Sequence, residues 1–172
     1  MEQISIKQYM INYGLMTSVV LLTFSLMLFF LEAHYEQGTV VQITSTVIIF
    51  AGITLGCLAC KKANNNIIQG STVRKIGTGI SLIIAIVSLF YQLFLTNVLD
   101  PAYWDIVLEI AYNQTLNDNP EFLNGLDLNG FIEANKPYVG YFVYPAIILG
   151  TIFFGFIYSV ILALFIKTKK QL

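Results

Sequence analysis

The sequence predicts an all-α membrane protein with four transmembrane helices and a short amphipathic, acidic helical segment between the third and fourth spans. Three observations predict it. The first is bulk composition: the chain has 172 residues, 56% of them hydrophobic and only 11% charged, whereas soluble domains carry about 25% charged residues. Mean hydropathy is +0.72. In water so apolar a chain would have nowhere to place its surplus, so lipid is the expected solvent. The second is four long apolar runs, and the third is the sorting of charge between the links that join them.

A bilayer core of about 30 Å needs roughly 20 apolar residues in helical conformation. Four stretches qualify, at about residues 9–31, 39–60, 76–99 and 138–166, and none contains Asp, Glu, Lys or Arg. One such charge at a helix centre costs about 2.5–3.5 kcal/mol on insertion scales, so their absence from every run is informative. Four buried helices of a soluble protein would each need a polar outer face, and "SLIIAIVSLFYQLFL" has none. The first run is longer than a signal-peptide core and lacks a small-x-small site at "EAHYEQG", so it is expected to be retained. All 172 residues are read as a single integral membrane domain, with residues 100–137 outside the lipid.

The link between the second and third spans carries Lys61, Lys62, Arg74 and Lys75, and the C-terminal tail carries Lys167, Lys169 and Lys170, with no acid in either. The first link instead carries Glu32 and Glu36. The long link after the third span carries Asp100, Asp105, Glu109, Asp118, Glu121, Asp127 and Glu133 against Lys136 alone. The positive-inside rule therefore places both termini in the cytoplasm and the acidic segment on the other side. Tyr9, Tyr13, Tyr103, Trp104, Tyr138 and Tyr141 fall near the expected interfaces, where an aromatic body sits in lipid and its polar tip in water. The fourth span would reach about 43 Å at ~1.5 Å per residue, so it should tilt or bend, and Pro145 supplies a cause.

In "DPAYWDIVLEIAYN", Asp100 reads as an N-cap and Pro101 as the first helical position. On that helix Asp105, Glu109 and Asn113 recur every four residues as a polar stripe, with apolar residues covering the rest. Paired carboxylates at Asp105 and Glu109 suit a metal ion or acid–base work. The simpler reading is a solvated face with mild like-charge repulsion, about 0.2–0.5 kcal/mol. Further on, "DLNG" fails as a calcium loop, because alignment on Gly130 puts Gly125 and Lys136 at two key ligand positions. Asp127 is expected instead to cap a short helix through Phe131 and Ile132. The "NQT" at Asn113 is a bare glycosylation match.

Cys57 and Cys60 form C-x-x-C without a second ligand pair, and read as packing residues. Gly52 with Gly56, and Ala146 with Gly150, have the small-residue spacing that lets helices approach closely, and Gly77 and Gly79 are expected to play the same part. Tyr91 and Gln92 are the candidate intramembrane polar pair, expected to bond a neighbouring helix or to line a path. No nucleotide loop, nucleophile elbow or zinc-protease helix is present, so no catalytic residue, cofactor or metal is assigned. The net charge of -1 argues against nucleic acid. The expected partners are the lipid bilayer and a second copy or other membrane proteins; whether the small-residue faces meet a helix of this chain or of another protein is left open by the sequence.

The run "NNNIIQGSTVRKIGTGISLIIAIVSLFYQLFLTNVLDPAYWDIVLE", with Gly77, Asp100, Pro101 and Tyr103, resembles the central part of the bacterial family known as domain of unknown function 4199. Such proteins, common in Bacteroidota, are similar along nearly the whole chain: four hydrophobic segments, a basic link, a D-P or N-P step, an acidic segment and a lysine tail. The resemblance implies a cell inner membrane and carries over no activity. The expected role is a non-enzymatic structural or accessory membrane subunit. The alternatives are a small transporter or channel, or an enzyme on lipid-linked substrates using Asp100, Asp105 and Glu109.

Overall fold

The structure is a computed structural model that describes residues 5–35 and 38–168. Glu36, Lys169 and Lys170, three of the charges that orient the chain, lie outside the described residues. The described residues are helical, with no strand among them. The elements are α1 (Ile6–Phe30), α2 (Thr39–Ala63), α3 (Gly70–Phe94), a π-helical turn (Leu95–Leu99), α4 (Tyr103–Asp118), a 3-10 turn (Pro120–Leu123) and α5 (Leu128–Ile166). The helices Ile6–Phe30, Thr39–Ala63, Gly70–Leu99 and Leu128–Ile166 are each long and apolar enough to cross a membrane. This is a multi-pass membrane architecture.

Helix ends follow local chemistry. The Asn64-Asn65-Asn66 tract terminates α2. Asn65 and Asn66 take left-handed backbone, φ 50° and 61°, which Asn tolerates better than most residues. The Asn66 N–H then donates to Lys61 O at 2.9 Å, satisfying a carbonyl of the last turn. At the end of α3, the Asp100 N–H donates to Leu95 O, five residues back, at 2.8 Å. Polar side chains of that turn also bond back to the last turn of α3. Thr96 Oγ1 donates to Gln92 O at 2.9 Å and Asn97 Nδ2 to Leu93 O at 2.7 Å.

Two sequence expectations need correction. α4 starts at Tyr103 with Ala102 at the N-cap position. Asp100 and Pro101 belong instead to the preceding turn, where Asp100 O accepts from the Tyr103 N–H at 3.0 Å. Asp127 does cap a helix, its Oδ1 accepting from the Gly130 N–H at 2.9 Å. That helix is not short, because α5 runs unbroken from Leu128 to Ile166 through Pro137 and Pro145. Each proline leaves one carbonyl of the preceding turn without its helical donor, and the remaining ladder continues.

The chain divides into two compact units, Met1–Leu89 with Ile147–Leu172, and Phe90–Ala146. The first unit has one core of Ile53, Cys57, Cys60, Ile68, Val73, Ile76, Ile80, Ile84, Leu162 and Ala163, against which Tyr9, Tyr13 and Leu21 of α1 pack. The outer faces remain apolar: Val40, Phe153, Phe154 and Phe165 are among many large exposed side chains. An apolar exterior around a packed core is what a lipid solvent permits. The second unit buries Tyr103, Leu108 and Leu123. There Tyr112 stands 5.6 Å from the Phe131 ring.

Candidate functional site

The small residues of the first unit do the joining. A side chain at Gly52 would strike Thr17 of α1, and one at Gly56 would lie 2.6 Å from Ile80 Cδ1 of α3. Gly52 and Gly56 are thus spent on contacts inside the chain. A side chain at Gly14 would come 2.8 Å from Ile83 Cβ, and Gly79 faces Met10. The tightest junction is reciprocal. Gly77 of α3 faces Ser159 of α5, and Gly155 of α5 faces Ser81 of α3. Each serine hydroxyl donates to the carbonyl of the glycine four residues before it, Ser81 to Gly77 O at 2.9 Å and Ser159 to Gly155 O at 2.6 Å. Both serines are fully buried. Ser18 repeats the bond to Gly14 O at 2.8 Å. A buried hydroxyl in lipid must find an acceptor, and the carbonyl of its own helix supplies one while the missing glycine side chain admits the neighbour.

Sequence reasoning passed over Gly155 and these serines. The signal was available: Gly14 with Ser18, Gly77 with Ser81 and Gly155 with Ser159 are each four apart, hence on one helix face. Gly150 behaves differently from Gly52 and Gly56, for a side chain there would meet nothing within 4 Å, and Ala146 is exposed. Gly150 lines an apolar groove of about 610 Å³ with Thr78, Leu149, Ile152, Phe153 and Phe156.

Polar groups also join the helices. Thr54 Oγ1 and the Tyr158 hydroxyl lie 2.7 Å apart, with the Tyr158 ring stacked on Phe50 at 3.9 Å. Lys61 Nζ donates to Ile166 O at 2.9 Å, capping the end of α5. Next to it the Thr168 N–H donates to Ile68 O at 2.9 Å, and the Ile68 N–H to Thr168 Oγ1 at 3.0 Å. The basic link and the end of α5 are thereby stitched together. Cys57 and Cys60 are buried free thiols. Cys57 sits in the core with its Sγ 3.7 Å from Val73 O.

In the second unit, both Asp105 carboxylate oxygens accept from Lys136 Nζ, at 2.6 and 2.8 Å. The pair is about half exposed, 49% for Lys136 and 42% for Asp105. Glu109 and Asn113 are exposed on the same face of α4. The stripe is therefore brought to Lys136 at one end and to solvent at the other. No group of three or more His, Cys, Asp or Glu side chains that could hold a metal ion occurs among the described residues. The Tyr91 hydroxyl is buried and makes no hydrogen bond, and the Gln92 carbonyl takes the Thr96 hydroxyl.

No curated protein and no solved structure matches this chain. A family model does match, that of "Protein of unknown function (DUF4199)", over residues 12–168. That match takes in all four long apolar helices, the basic link and the acidic segment, and the chain belongs to the DUF4199 family.

Proposed function

We propose that this chain is a non-enzymatic structural or accessory subunit of the cell inner membrane, with both termini in the cytoplasm and residues 100–137 on the opposite side. The observation that carries the reading is the use made of polar groups within the long helices. Ser18, Ser81 and Ser159 each donate to a carbonyl of their own helix. The same holds for Thr17, bonded to Tyr13 O at 2.7 Å. Such hydroxyls serve packing and leave little over for a substrate. The carboxylates of the outer segment support the same reading, since Asp105 is engaged by Lys136 and Glu109 is exposed. Charge sorting supports the orientation: Lys61, Lys62, Arg74, Lys75 and Lys167 lie at one end of α2, α3 and α5, with no acid among them.

The role is tested by extracting the full chain with its native lipid in polymer discs and identifying what co-purifies. Reproducible, stoichiometric association with another membrane protein is expected. Recovery of the lone chain, or of copies of itself only, counts against the accessory role. Orientation is tested by membrane-impermeant thiol labelling of single cysteines placed at Asn65 and Asn117, on a background lacking Cys57 and Cys60. Labelling from the periplasmic side is expected at Asn117 alone.

One observation favours the transporter or channel reading, and it is the unpaired Tyr91 hydroxyl beside Gln92. A buried hydroxyl without a partner loses about 1–3 kcal/mol of hydration, which a water on a permeation path would restore. Flux in reconstituted vesicles that falls with Tyr91→Phe and Gln92→Leu would support it, and flux indifferent to both would remove it.

A further inference from the structure

We propose that the groove between α3 and α5 is a binding site for one anionic phospholipid, with its phosphate on Arg74 and an acyl chain running past Thr78 to Gly150. The groove measures about 610 Å³, within the range of about 300–1,000 Å³ usual for small-molecule sites. Its walls are the exposed side chains Leu149, Phe153 and Phe156 on α5 and the half-buried Thr78 on α3. Its floor is open at Gly150, where a side chain would have met nothing within 4 Å. A slot of this kind, deepened by one missing side chain and walled by aromatics, suits a flexible hydrocarbon tail.

Charge fixes what else the ligand carries. Arg74 is exposed and lies four residues before Thr78, hence on the same face of α3 and about one turn nearer the basic end. Lys75 follows it directly, and Lys167 lies beside the start of α3, its Cδ within 3.9 Å of where a side chain at Gly70 would begin. The bonds joining Ile68 to Thr168 hold this end together. Among the described residues no ion pair is made by Arg74, Lys75 or Lys167. Guanidinium binds phosphate in a planar two-point geometry, and basic residues at a membrane-facing helix end draw anionic headgroups. The same charge disfavours a second copy in the groove. A parallel neighbour would bring its own basic end alongside, with nothing acidic to meet it.

The inference rests on the membrane architecture, not on the accessory role. It is tested by native mass spectrometry of the detergent-solubilised full chain, titrated with phosphatidylglycerol or phosphatidylcholine of equal chain length. Phosphatidylglycerol is expected to bind about tenfold more tightly. Arg74→Gln should abolish that preference. Gly150→Leu, which fills open space and so leaves the fold intact, should weaken both lipids but leave short-chain dihexanoyl phosphatidylglycerol unchanged. Inorganic phosphate at the same concentration should not compete. Equal binding of the two lipids, or indifference to Arg74→Gln, overturns the headgroup assignment. Indifference to Gly150→Leu overturns the groove. Competition by inorganic phosphate shows a simple anion site, and a dimer abolished by Gly150→Leu shows a second copy; either refutes the proposal. A chain that stays soluble and compact without detergent would instead refute the membrane architecture beneath it.

Discussion

In the first unit α3 and α5 meet almost backbone to backbone, with Ser81 and Ser159 each seated over a glycine of the facing helix. In the second unit α4 and the first turns of α5 meet through the tips of long side chains, Asp105 to Lys136 and Tyr112 to Phe131. The difference is the one expected between lipid and water as solvents. Apolar side chains gain little by leaving lipid for one another, so association there depends on close van der Waals contact, which glycine provides. A segment in contact with water can use apolar burial, capping and ion pairing, each exchanged against hydration. One chain thus shows two kinds of cohesion, and each predicts its own pattern of mutational damage.

The largest damage is expected where the backbones touch. Gly155→Leu and Gly52→Leu should each cost at least about 1–3 kcal/mol from overpacking, read as a lowered unfolding midpoint in mixed micelles. Next comes the cap at the start of α5. Asp127→Ala should cost about 1 kcal/mol, seen as faster hydrogen exchange confined to the first turn after Leu128. Breaking the Thr54–Tyr158 bond by Thr54→Val or Tyr158→Phe should cost about 0.6 kcal/mol in the membrane. The two together should cost little more than either alone. Lys136→Gln should cost about 0.2–1 kcal/mol, and less in high salt, because the pair is half exposed. No damage at all is expected for Gly150→Ala, which should be neutral or gain up to about 1 kcal/mol from helix propensity. Equal damage at Gly52 and Gly150 would erase the distinction drawn between them.

Much of the fold was legible from residue chemistry. Long runs without charge mark the helices because one charge in lipid is so costly. The ends were less legible, since apolar runs report where lipid stops and not where a helix stops. α3 begins at Gly70, ahead of Arg74 and Lys75, because a helix continues happily into water. α5 begins at Leu128, where a sequence rich in Asn, Gly and Pro suggests turns. The Asp127 cap and tertiary contacts outweigh that local preference. Asp100-Pro101 has the composition of a helix start, yet a turn closed by the Tyr103 N–H on Asp100 O puts the start of α4 two residues further on.

The candidate site was less legible than the fold. Spacing identified Gly52, Gly56 and Gly150 as one kind of residue, but which face of a helix a neighbour covers is decided by tertiary packing. Gly52 became a contact and Gly150 a groove floor. Asp105 and Glu109 share a stripe by period, and only the fold reveals that Lys136, 31 residues on, engages the first of them.

Glycine–serine contacts within this chain lock α3 against α5. A double-mutant cycle on Gly77→Ala and Ser159→Gly tests it most directly, measured as unfolding free energy in lipid bicelles. Gly77→Ala alone should destabilise by about 1–3 kcal/mol. In the Ser159→Gly background, where the obstructing hydroxymethyl is gone, the same change should cost little, giving a coupling of about 1 kcal/mol or more. Independent, additive effects would show that the two residues do not meet, and the lock between α3 and α5 would be contradicted.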